Sequence, residues 1–393
     1  IFAILLYLYI IISSFFVYVI FCGKTSWHEG GIIEKIYDNL AGCCQGCCNL
    51  VLCGMIKEDD TPLEERNFMV RCFSRVKTYV TEEPNPLLQI VYLTLIHTNA
   101  AYFFYKVFFS LNYGTSVSYL HAPAILLLYI ASQVFFGLAS FANPGIVTLE
   151  NRDSFDVYAY NLAYSQNECV TCKFKKPARS KHCTYMGACV AKYDHYCPWI
   201  NNTVGEYNYR YFHGFLISNW VLYFYGVYLI CCYLLQFIVE NNLLTARFRG
   251  LNGEVVQGSF GLIFQFMLTH HIWLFAQVFF GIAMAFMLLF FWGYHFYSLA
   301  LQNTTTSESF KMQELDADYD ALSQNIHAYD ATIARFKKRD THRHIGEQLE
   351  QLKAYVKSKQ PRPNLAAFYS RGWKRNLMDV LYPPSIYEKS KFK

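Results

Sequence analysis

The sequence predicts an all-α integral membrane protein with about five transmembrane helices, a small cysteine-rich cytosolic domain and a helical cytosolic tail. Of the 393 residues, 54% are hydrophobic and only 16% are charged, whereas soluble domains have about 25% charged residues. The apolar residues occur in long blocks, and the Lys and Arg residues are concentrated between alternate blocks. The high hydrophobicity excludes a disordered chain, and 14 Cys residues are too few for a disulfide scaffold of this length.

Each apolar block is long enough to cross a bilayer, which takes about 20 residues in a helix. The first block has no charged residue and no small-residue cleavage site, so we expect an anchor that is not removed. The block 261–301 is too long for one span and too poor in turn residues for two, so an interfacial piece through His270 and His271 is expected before the fifth span. The five expected spans are Ile1–Phe21, Leu87–Ser110, Tyr119–Phe141, Phe212–Val239 and a stretch near Trp273–Leu299.

The basic residues predict the orientation. Segments 22–86, 142–211 and 302–393 contain seven, eight and sixteen of the 34 Lys and Arg residues, and the loop 240–260 contains two. By the positive-inside rule, the three basic segments are cytosolic and the N-terminus is lumenal, which five spans permit and four or six would not. The net charge of +5 then reflects membrane orientation and attraction to the anionic lipid bilayer, so no nucleic-acid partner is expected.

Four residues of the segment 142–211 have the spacing of a structural zinc site. Cys169 and Cys172 form a Cys-x-x-Cys pair, which places two thiolates on one tight turn, and His182 and Cys189 follow. A Cys₃His set can close a tetrahedral site around one zinc ion. Because cytosolic thiols stay reduced, disulfides are not expected. The alternative is a set of surface thiols on a polar loop.

Cys197 has the neighbours that a reactive thiolate needs. His195 lies two residues before it and can take its proton, and Asp194 can hold the imidazole in one tautomer. The expected roles are that Asp194 orients, His195 accepts the proton and Cys197 attacks. The alternative is that Cys197 is another metal ligand or an unreactive buried thiol.

The run from Cys169 to Thr203 resembles the cysteine-rich domain of the DHHC-type protein S-acyltransferases, in a variant with an Asp-His-Tyr-Cys signature. The family pattern is C-x₂-C-x₉-HC-x₂-C-x₂-C-x₄-DHHC-x₅-C, and this sequence departs from it at Met186, Tyr196 and Thr203. Family members bind two zinc ions, and the three departures fall among the ligands of the second ion, whose fourth position is Cys183. The resemblance therefore implies one structural zinc ion, with the second site replaced by packing and hydrogen bonds.

The resemblance implies a protein-cysteine S-palmitoyltransferase of the endoplasmic reticulum or Golgi membrane. Cys197 would take a long-chain acyl group, expected to be palmitoyl, from fatty acyl-CoA and pass it to cytosolic cysteines of membrane-associated substrate proteins. Trp199 is expected to contact acyl-CoA near its thioester. Structural support is expected from Thr305 and Thr306 in a TTxE element and from Asn376 in a C-terminal motif. The alternative is a catalytically inactive, zinc-stabilised membrane scaffold or adaptor.

The chain is thereby divided into six parts, some of which carry further motifs. In order, the parts are a span (1–21), a cytosolic segment with a Cys cluster (22–86), two spans (87–141), the cysteine-rich catalytic domain (142–211), two spans with a lumenal loop (212–301) and a cytosolic tail with a helical hairpin (302–393). The Cys43–Cys53 cluster is interpreted as a site of acylation, as apolar packing or as a metal site. Lysines 389, 391 and 393 resemble a dilysine retrieval signal, with a basic tail as the alternative.

The hairpin is predicted from apolar residues that recur at alternating steps of three and four. They run from Met312 to Phe336 and from Ile345 to Val356, with a charged break between the two runs. This spacing is typical of helices that pack along one apolar seam. The two interpretations are a hairpin packed on itself and a docking surface for a partner.

Overall fold

Most of the described residues are helical. The computed structural model describes Tyr79 and residues 83–249, 254–338, 343–358 and 368–387. The predicted span Ile1–Phe21, the Cys43–Cys53 cluster and the C-terminal lysines lie outside the described residues. The described helices are α1 Leu87–Phe103, α2 His121–Phe141, α3 Tyr209–Glu240, α4 Phe260–His270, α5 Ile272–Tyr297, α6 Thr306–Gln324, α7 Asp330–Lys337, α8 Arg343–Lys357, α9 Trp373–Leu381 and α10 Pro384–Tyr387.

Four helices are long and apolar enough to cross a membrane. Helices α1 and α5 each continue into a π-helical turn, at Phe104–Phe108 and Ser298–Gln302. The four candidate spans are Leu87–Phe108, His121–Phe141, Tyr209–Glu240 and Ile272–Gln302. The chain is therefore a membrane protein with several apolar helices. The stretch before the last span folds as the short apolar helix α4, which ends at His270.

Short strands depart from the all-α prediction. The described strands are β1 Ile146–Val147, β2 Lys181–Cys183, β3 Ala188–Val190, β4 His195–Cys197, β5 Asn202–Val204, β6 Arg247–Arg249 and β7 Val255–Gln257. They form a three-stranded antiparallel sheet in the order β1-β3-β2 and the two antiparallel pairs β4-β5 and β6-β7. Strands of two or three residues are too short to show an alternating hydrophobic pattern, so the sequence did not reveal them.

The described residues group into two compact units. The first contains Leu93–Ile125 and Tyr223–Met284. In this unit, the side-chain oxygen of Gln236 accepts a hydrogen bond from the backbone N–H of Asn112 (2.8 Å). The side-chain amide of Gln236 donates to the carbonyl of Ser110 (3.0 Å). These bonds satisfy polar groups that have few water partners among apolar helices.

The second unit contains Pro86–Tyr92, Leu126–Leu222 and the described residues of Ala285–Lys393. Its cysteine-rich part has a small apolar core in which two of the cysteine side chains are themselves buried. The core residues are Val147, Phe155, Cys169, Phe174, Cys189 and Ala191. Val147 lies on β1 and Cys189 lies on β3, so the sheet contributes to this core and positions Cys189.

The tail helices pack on one another and on the cysteine-rich part. Met312, Leu315 and Leu322 of α6 share a core with Leu352 of α8 and with Ala163. The predicted apolar repeat through Phe336 is not one helix, because the chain turns between α6 and α7. The side chain of Asn325 accepts the backbone N–H of His327 (3.0 Å), a local bond that competes with helix continuation.

A buried arginine joins the cysteine-rich part to the start of the tail. The guanidinium of Arg179 donates to both carboxylate oxygens of Glu308, with its Nε 2.6 Å and its Nη2 2.7 Å away, and to the carbonyl of Asn303 at 2.6 Å. Its Cζ also lies 4.7 Å from the ring centroid of Tyr158 and 4.5 Å from that of Tyr369. Because a buried charge is costly unless paired, this arrangement fixes the tail against the cysteine-rich part.

Asn376 closes the end of the last span. The final carbonyls of a helix lack partners within the helix. The Asn376 amide donates to the carbonyl of Ala300 at 3.0 Å, and its oxygen accepts the N–H of Arg371 at 2.9 Å. Ser370 donates to the carbonyl of Leu301 at 3.2 Å. The predicted support residue is thus fully buried and caps the π-helical turn.

Replacing Arg179 with Ala should destabilise the protein strongly. Glu308 would stay buried without its cation, and removing one partner of a buried pair costs about 3–5 kcal/mol. Lys181→Ala, on the exposed neighbour two residues away, should change stability by about 0.5 kcal/mol or less. The measurement is the thermal unfolding midpoint of the detergent-solubilised full chain. Similar midpoints for the two variants would contradict the importance of the buried pair.

Candidate functional site

The four predicted metal ligands lie together. Nδ1 of His182 is 3.3 Å from Sγ of Cys172, 3.5 Å from Sγ of Cys169 and 3.9 Å from Sγ of Cys189. All four ligand atoms lie within 4.8 Å of one another. Three thiol groups and one imidazole around a common point are the donor set of a structural zinc site, so the cluster fits a metal ion.

Local backbone geometry explains this convergence. Cys169 and Cys172 lie on a tight turn in which Lys173 adopts a left-handed conformation (φ 58°) and donates its N–H to the carbonyl of Cys169. His182 and Cys189 face each other in the β2-β3 ladder. Burial alone would raise the pKa of the Cys169 thiol, but hydrogen bonds that include the N–H of Cys172 lower it overall. The turn therefore favours the thiolate form that binds metals.

The positions of the family's second ion have other partners in this chain. Sγ of Cys183 lies 3.2 Å from Oγ1 of Thr203. The ring of Tyr196 stacks on that of Tyr185 with centroids 4.4 Å apart, and its hydroxyl donates to the side-chain oxygen of Asn201 at 2.6 Å.

Strand β4 places the imidazole and the thiol of the signature side by side. Residues two apart on a strand share a face, so His195 and Cys197 point one way and Tyr196 points the other. Nδ1 of His195 lies 2.5 Å from Oδ2 of Asp194. Asp194 and His195 therefore form a hydrogen-bonded carboxylate–imidazole pair, and Cys197 lies on the same face of the strand as the imidazole.

The surroundings favour the charged forms of both the His195 imidazole and the Asp194 carboxylate. Burial alone would lower the pKa of His195, but its hydrogen bonds with Asp194 and Cys197 outweigh burial and raise it to about 10. Burial alone would raise the pKa of Asp194, but the hydrogen bond and positive charge of His195 hold it well below its usual range. His195 is therefore an imidazolium at neutral pH, the form that stabilises a neighbouring thiolate.

The start of helix α6 holds the carboxylate in place. The backbone N–H of Thr306 donates to Oδ1 of Asp194 at 2.6 Å, and the hydroxyl of Thr305 donates to the carbonyl of Tyr193 at 3.0 Å. Thr305 also forms a capping box with Glu308. A helix N-terminus favours negative charge, so α6 supports the ionised form of Asp194. The TTxE residues thus act on the site through the backbone as well as through side chains.

Two residues near Asp194 were missed by the sequence analysis. His295 of α5 and Tyr209 of α3 lie beside the carboxylate, and Nδ1 of His295 is 3.9 Å from Oδ2 of Asp194. Among the described residues, Asp194, His195 and His295 are the one further group of three with ligand atoms within 4.8 Å. The sequence feature that could have identified His295 is its position inside an apolar span, where a histidine suggests a function.

Trp199 is half-buried just after Cys197.

Comparison with known proteins agrees with this geometry. Residues 163–313 match the family model described as DHHC palmitoyltransferase. The chain is 36% identical to Palmitoyltransferase swf1 of Schizosaccharomyces pombe over 175 residues, covering 42% of this chain and 47% of that protein. It is 52% identical to Palmitoyltransferase SWF1 of Yarrowia lipolytica over 102 residues (24% and 26%) and 42% identical to Palmitoyltransferase ZDHHC4 of Bos taurus over 106 residues (26% and 30%).

The matches cover part of each protein. The chain spans less than half the length of each of these relatives. The family match includes the metal-ligand cluster, the signature and the TTxE element. The family model and the relatives together support the DHHC palmitoyltransferase family.

The Asp194–His195 pair should give stability a defined pH dependence. Because the pKa of His195 rises from 6.5 to about 10 on folding, its contribution is complete below about pH 6.5 and is lost as the pH rises through about 10. The lowered pKa of Asp194 keeps the contribution present above the ordinary value of 3.8 and removes it as the pH falls further.

The measurement compares thermal unfolding midpoints of the parent and Asp194→Asn across this range. The difference is expected to be largest between about pH 4 and pH 6.5 and to shrink toward pH 10. Asp153→Asn, at an exposed carboxylate, serves as the control and should show no such trend. A difference between parent and Asp194→Asn that stays constant with pH would contradict the charged pair.

Proposed function

We propose that this chain is a membrane-bound protein-cysteine S-acyltransferase that works through an acyl-enzyme on Cys197. The observation that carries the proposal is the contact of 2.5 Å between Nδ1 of His195 and Oδ2 of Asp194, with His195 and Cys197 on one face of β4. A thiolate held beside an imidazolium is a nucleophile suited to thioester exchange. The family model and the palmitoyltransferases named above support the same chemistry.

The proposed reaction has two balanced steps. The Cys197 thiolate attacks the thioester carbonyl of a long-chain fatty acyl-CoA, a new C–S bond forms, and the C–S bond to CoA breaks. The departing CoA thiolate takes the proton of the His195 imidazolium. The neutral imidazole then takes the proton of a substrate-protein cysteine, whose thiolate attacks the acyl-enzyme and releases the Cys197 thiolate. Palmitoyl is the expected acyl group, and Trp199 is the residue expected to contact it.

The proposed metal is one zinc ion held by Cys169, Cys172, His182 and Cys189. When bound, it supplies cross-linking of the cysteine-rich part rather than a reactive group, because four protein ligands leave no open position. The cluster and Cys197 belong to different parts of the domain: Cys169 and Cys189 lie in its apolar core, whereas Cys197 lies on β4 with His195.

The proposed cellular setting follows from the charge pattern. We propose five spans, a lumenal N-terminus, and a cytosolic catalytic segment 142–211 and tail 302–393, in the endoplasmic reticulum or Golgi membrane. The basic segments support this orientation. The proposed partners are fatty acyl-CoA, the bilayer and membrane-associated proteins with cytosolic cysteines. Thr305, Thr306 and Asn376 serve as structural support through the contacts described above.

Acyl-enzyme formation tests the function directly. Purified full chain incubated with labelled palmitoyl-CoA should acquire a hydroxylamine-sensitive label, and Cys197→Ala should show none above background. Cys183→Ser, which changes the buried thiol bonded to Thr203, is the matched control and should keep the label. A parent without label would instead favour the inactive scaffold, and equal label in Cys197→Ala would place the nucleophile elsewhere.

Metal analysis tests the ligand assignment. The purified parent should contain one zinc ion per chain. Cys189→Ser should lose the ion and much of its stability, because removing a ligand opens the site. Cys183→Ser should retain it, since Cys183 pairs with Thr203 outside the cluster. Two ions per chain, or loss of zinc in Cys183→Ser, would show that a second site survives.

A further inference from the structure

Helix α9 carries polar side chains on its inner face and apolar side chains on its outer face. Asn376 and Asp379 are buried against the protein, together with Val380. On the other side of the helix, the side chains of Met378 and Leu381 are 47% and 43% exposed. A helix at a water-facing surface normally shows the reverse, with its apolar stripe inside and its polar residues outside. The outer face of α9 is therefore suited to surroundings other than water.

The exposed apolar residues continue beyond this face. Trp373 begins α9 and is 55% exposed, and Tyr382 and Ile386, which follow the helix, are 59% and 54% exposed. Single exposed apolar residues are common on protein surfaces, but a concentration of large ones marks an interaction site. Five residues together form the α9 apolar surface: Trp373, Met378, Leu381, Tyr382 and Ile386.

Hydrogen bonds hold α9 at the ends of two candidate spans. The side-chain amide of Asn376 donates to the carbonyl of Ala300, in the last turn of the final span, at 3.0 Å. Nη1 of Arg210, the second residue of α3, donates to the carbonyl of Leu381 at 3.0 Å. Because α9 is bonded to the end of one span and to the start of another, it lies near the boundary of the membrane.

Lipid-facing residues of the final span lie next to this attachment. Tyr297 and Leu301 are 52% and 50% exposed, and Leu301 follows the Ala300 carbonyl to which Asn376 is bonded. The hydroxyl of Ser370, just before α9, donates to the carbonyl of Leu301 at 3.2 Å. In a membrane span, exposed apolar side chains face lipid. The lipid-facing surface of the span therefore extends to the place where α9 begins.

Basic and aromatic side chains accompany the apolar surface. Lys374 and Arg375 are exposed on α9, and Nζ of Lys374 lies 5.6 Å from the ring centroid of Trp373. Cζ of Arg210 lies 4.9 Å from the ring centroid of Tyr211. Tryptophan and tyrosine rings favour the headgroup level of a bilayer, and Lys and Arg are attracted to its anionic lipids. This combination favours a lipid surface as the partner of α9.

We propose that the α9 apolar surface docks into the cytosolic leaflet of the bilayer, with Lys374 and Arg375 against the phosphates of anionic phospholipids. Interfacial helices bury an apolar face at the boundary between headgroups and acyl chains, and the long stem of a lysine lets its ammonium reach the headgroups. The proposal rests on the proposed function only for the cytosolic side. Lipid then holds α9 from outside, while Asn376 holds it from inside.

The experiment places the photoreactive residue benzoylphenylalanine at Met378 or at Leu381 of the full chain, reconstituted into nanodiscs of phosphatidylcholine and phosphatidylserine. After irradiation, mass spectrometry measures the lipid adducts of each peptide. The matched control carries the same residue at Ala354, which is exposed on α8. Adduct yields at Met378 and Leu381 should exceed that at Ala354 about tenfold. Equal yields at the three positions, or cross-links to a second copy of the chain in place of lipid, would overturn the proposal.

A second arm tests the anionic lipid. With the photoreactive residue at Met378, adducts of phosphatidylserine should exceed its share of the bilayer about fivefold, and added salt should reduce this enrichment. Lys374→Gln should remove most of the enrichment, whereas Lys357→Gln, at an exposed lysine of α8, should leave it unchanged. Absence of enrichment, or equal enrichment in the two variants, would overturn the assignment to anionic lipid.

Acyl-enzyme formation by the same preparations separates this proposal from the proposed function. A chain that takes no acyl label but still gives lipid adducts at Met378 would remove the proposed function and leave the docking of α9 standing. A chain that takes the label and gives no more adducts at Met378 and Leu381 than at Ala354 would do the reverse. An unchanged elution volume in size-exclusion chromatography identifies the folded variants, and either labelled position alone suffices for the comparison.

Discussion

The buried negative charge of Asp194 is the constraint on which the site depends. A carboxylate that is 1% exposed has lost its water and must find donors within the protein. Those donors come from two elements: the imidazole of His195 on β4 and the backbone N–H of Thr306 at the start of α6. Because each element must supply its donor for the charge to be tolerated, this one carboxylate constrains both the strand and the start of the helix.

The alternation of side chains along a strand explains how the signature accepts a tyrosine. Tyr196 lies between His195 and Cys197 but points to the opposite face, where it stacks on Tyr185 and lies opposite Thr203 in the ladder. His195 and Cys197 therefore share one face of β4, and Tyr196 lies on the other. A change of residue on the face of Tyr196 leaves the contact between His195 and Asp194 on the other face in place.

The sequence predicted the contacts that form within short stretches of the chain and missed those between separate helices. The Cys₃His cluster follows from short spacings, because a tight turn and one hairpin suffice to bring its ligands together. The capping box at Thr305 is likewise contained in four residues. His295 is far from Asp194 in sequence, and both Tyr209 and His295 lie in apolar helices whose composition indicates only that they can span a membrane. Whether these residues come into contact depends on how the helices pack, which a hydrophobic pattern does not predict. The turn at Asn325 was missed because it depends on one side-chain hydrogen bond.

Two buried carboxylates of the second unit, Glu308 and Asp194, belong to one hydrogen-bonded network. Glu308 accepts from Arg179 and from the backbone N–H of Thr305, and the Thr305 hydroxyl donates to the carbonyl of Tyr193, the residue before Asp194. The N-terminus of α6 therefore contacts both the arginine that fixes the tail and the carboxylate that charges the imidazole. Effects within such a network are not additive. A change at Arg179 that loosens the start of α6 also removes a donor from Asp194, so the stability of the tail and the charge of the Asp194–His195 pair are coupled through the same few bonds.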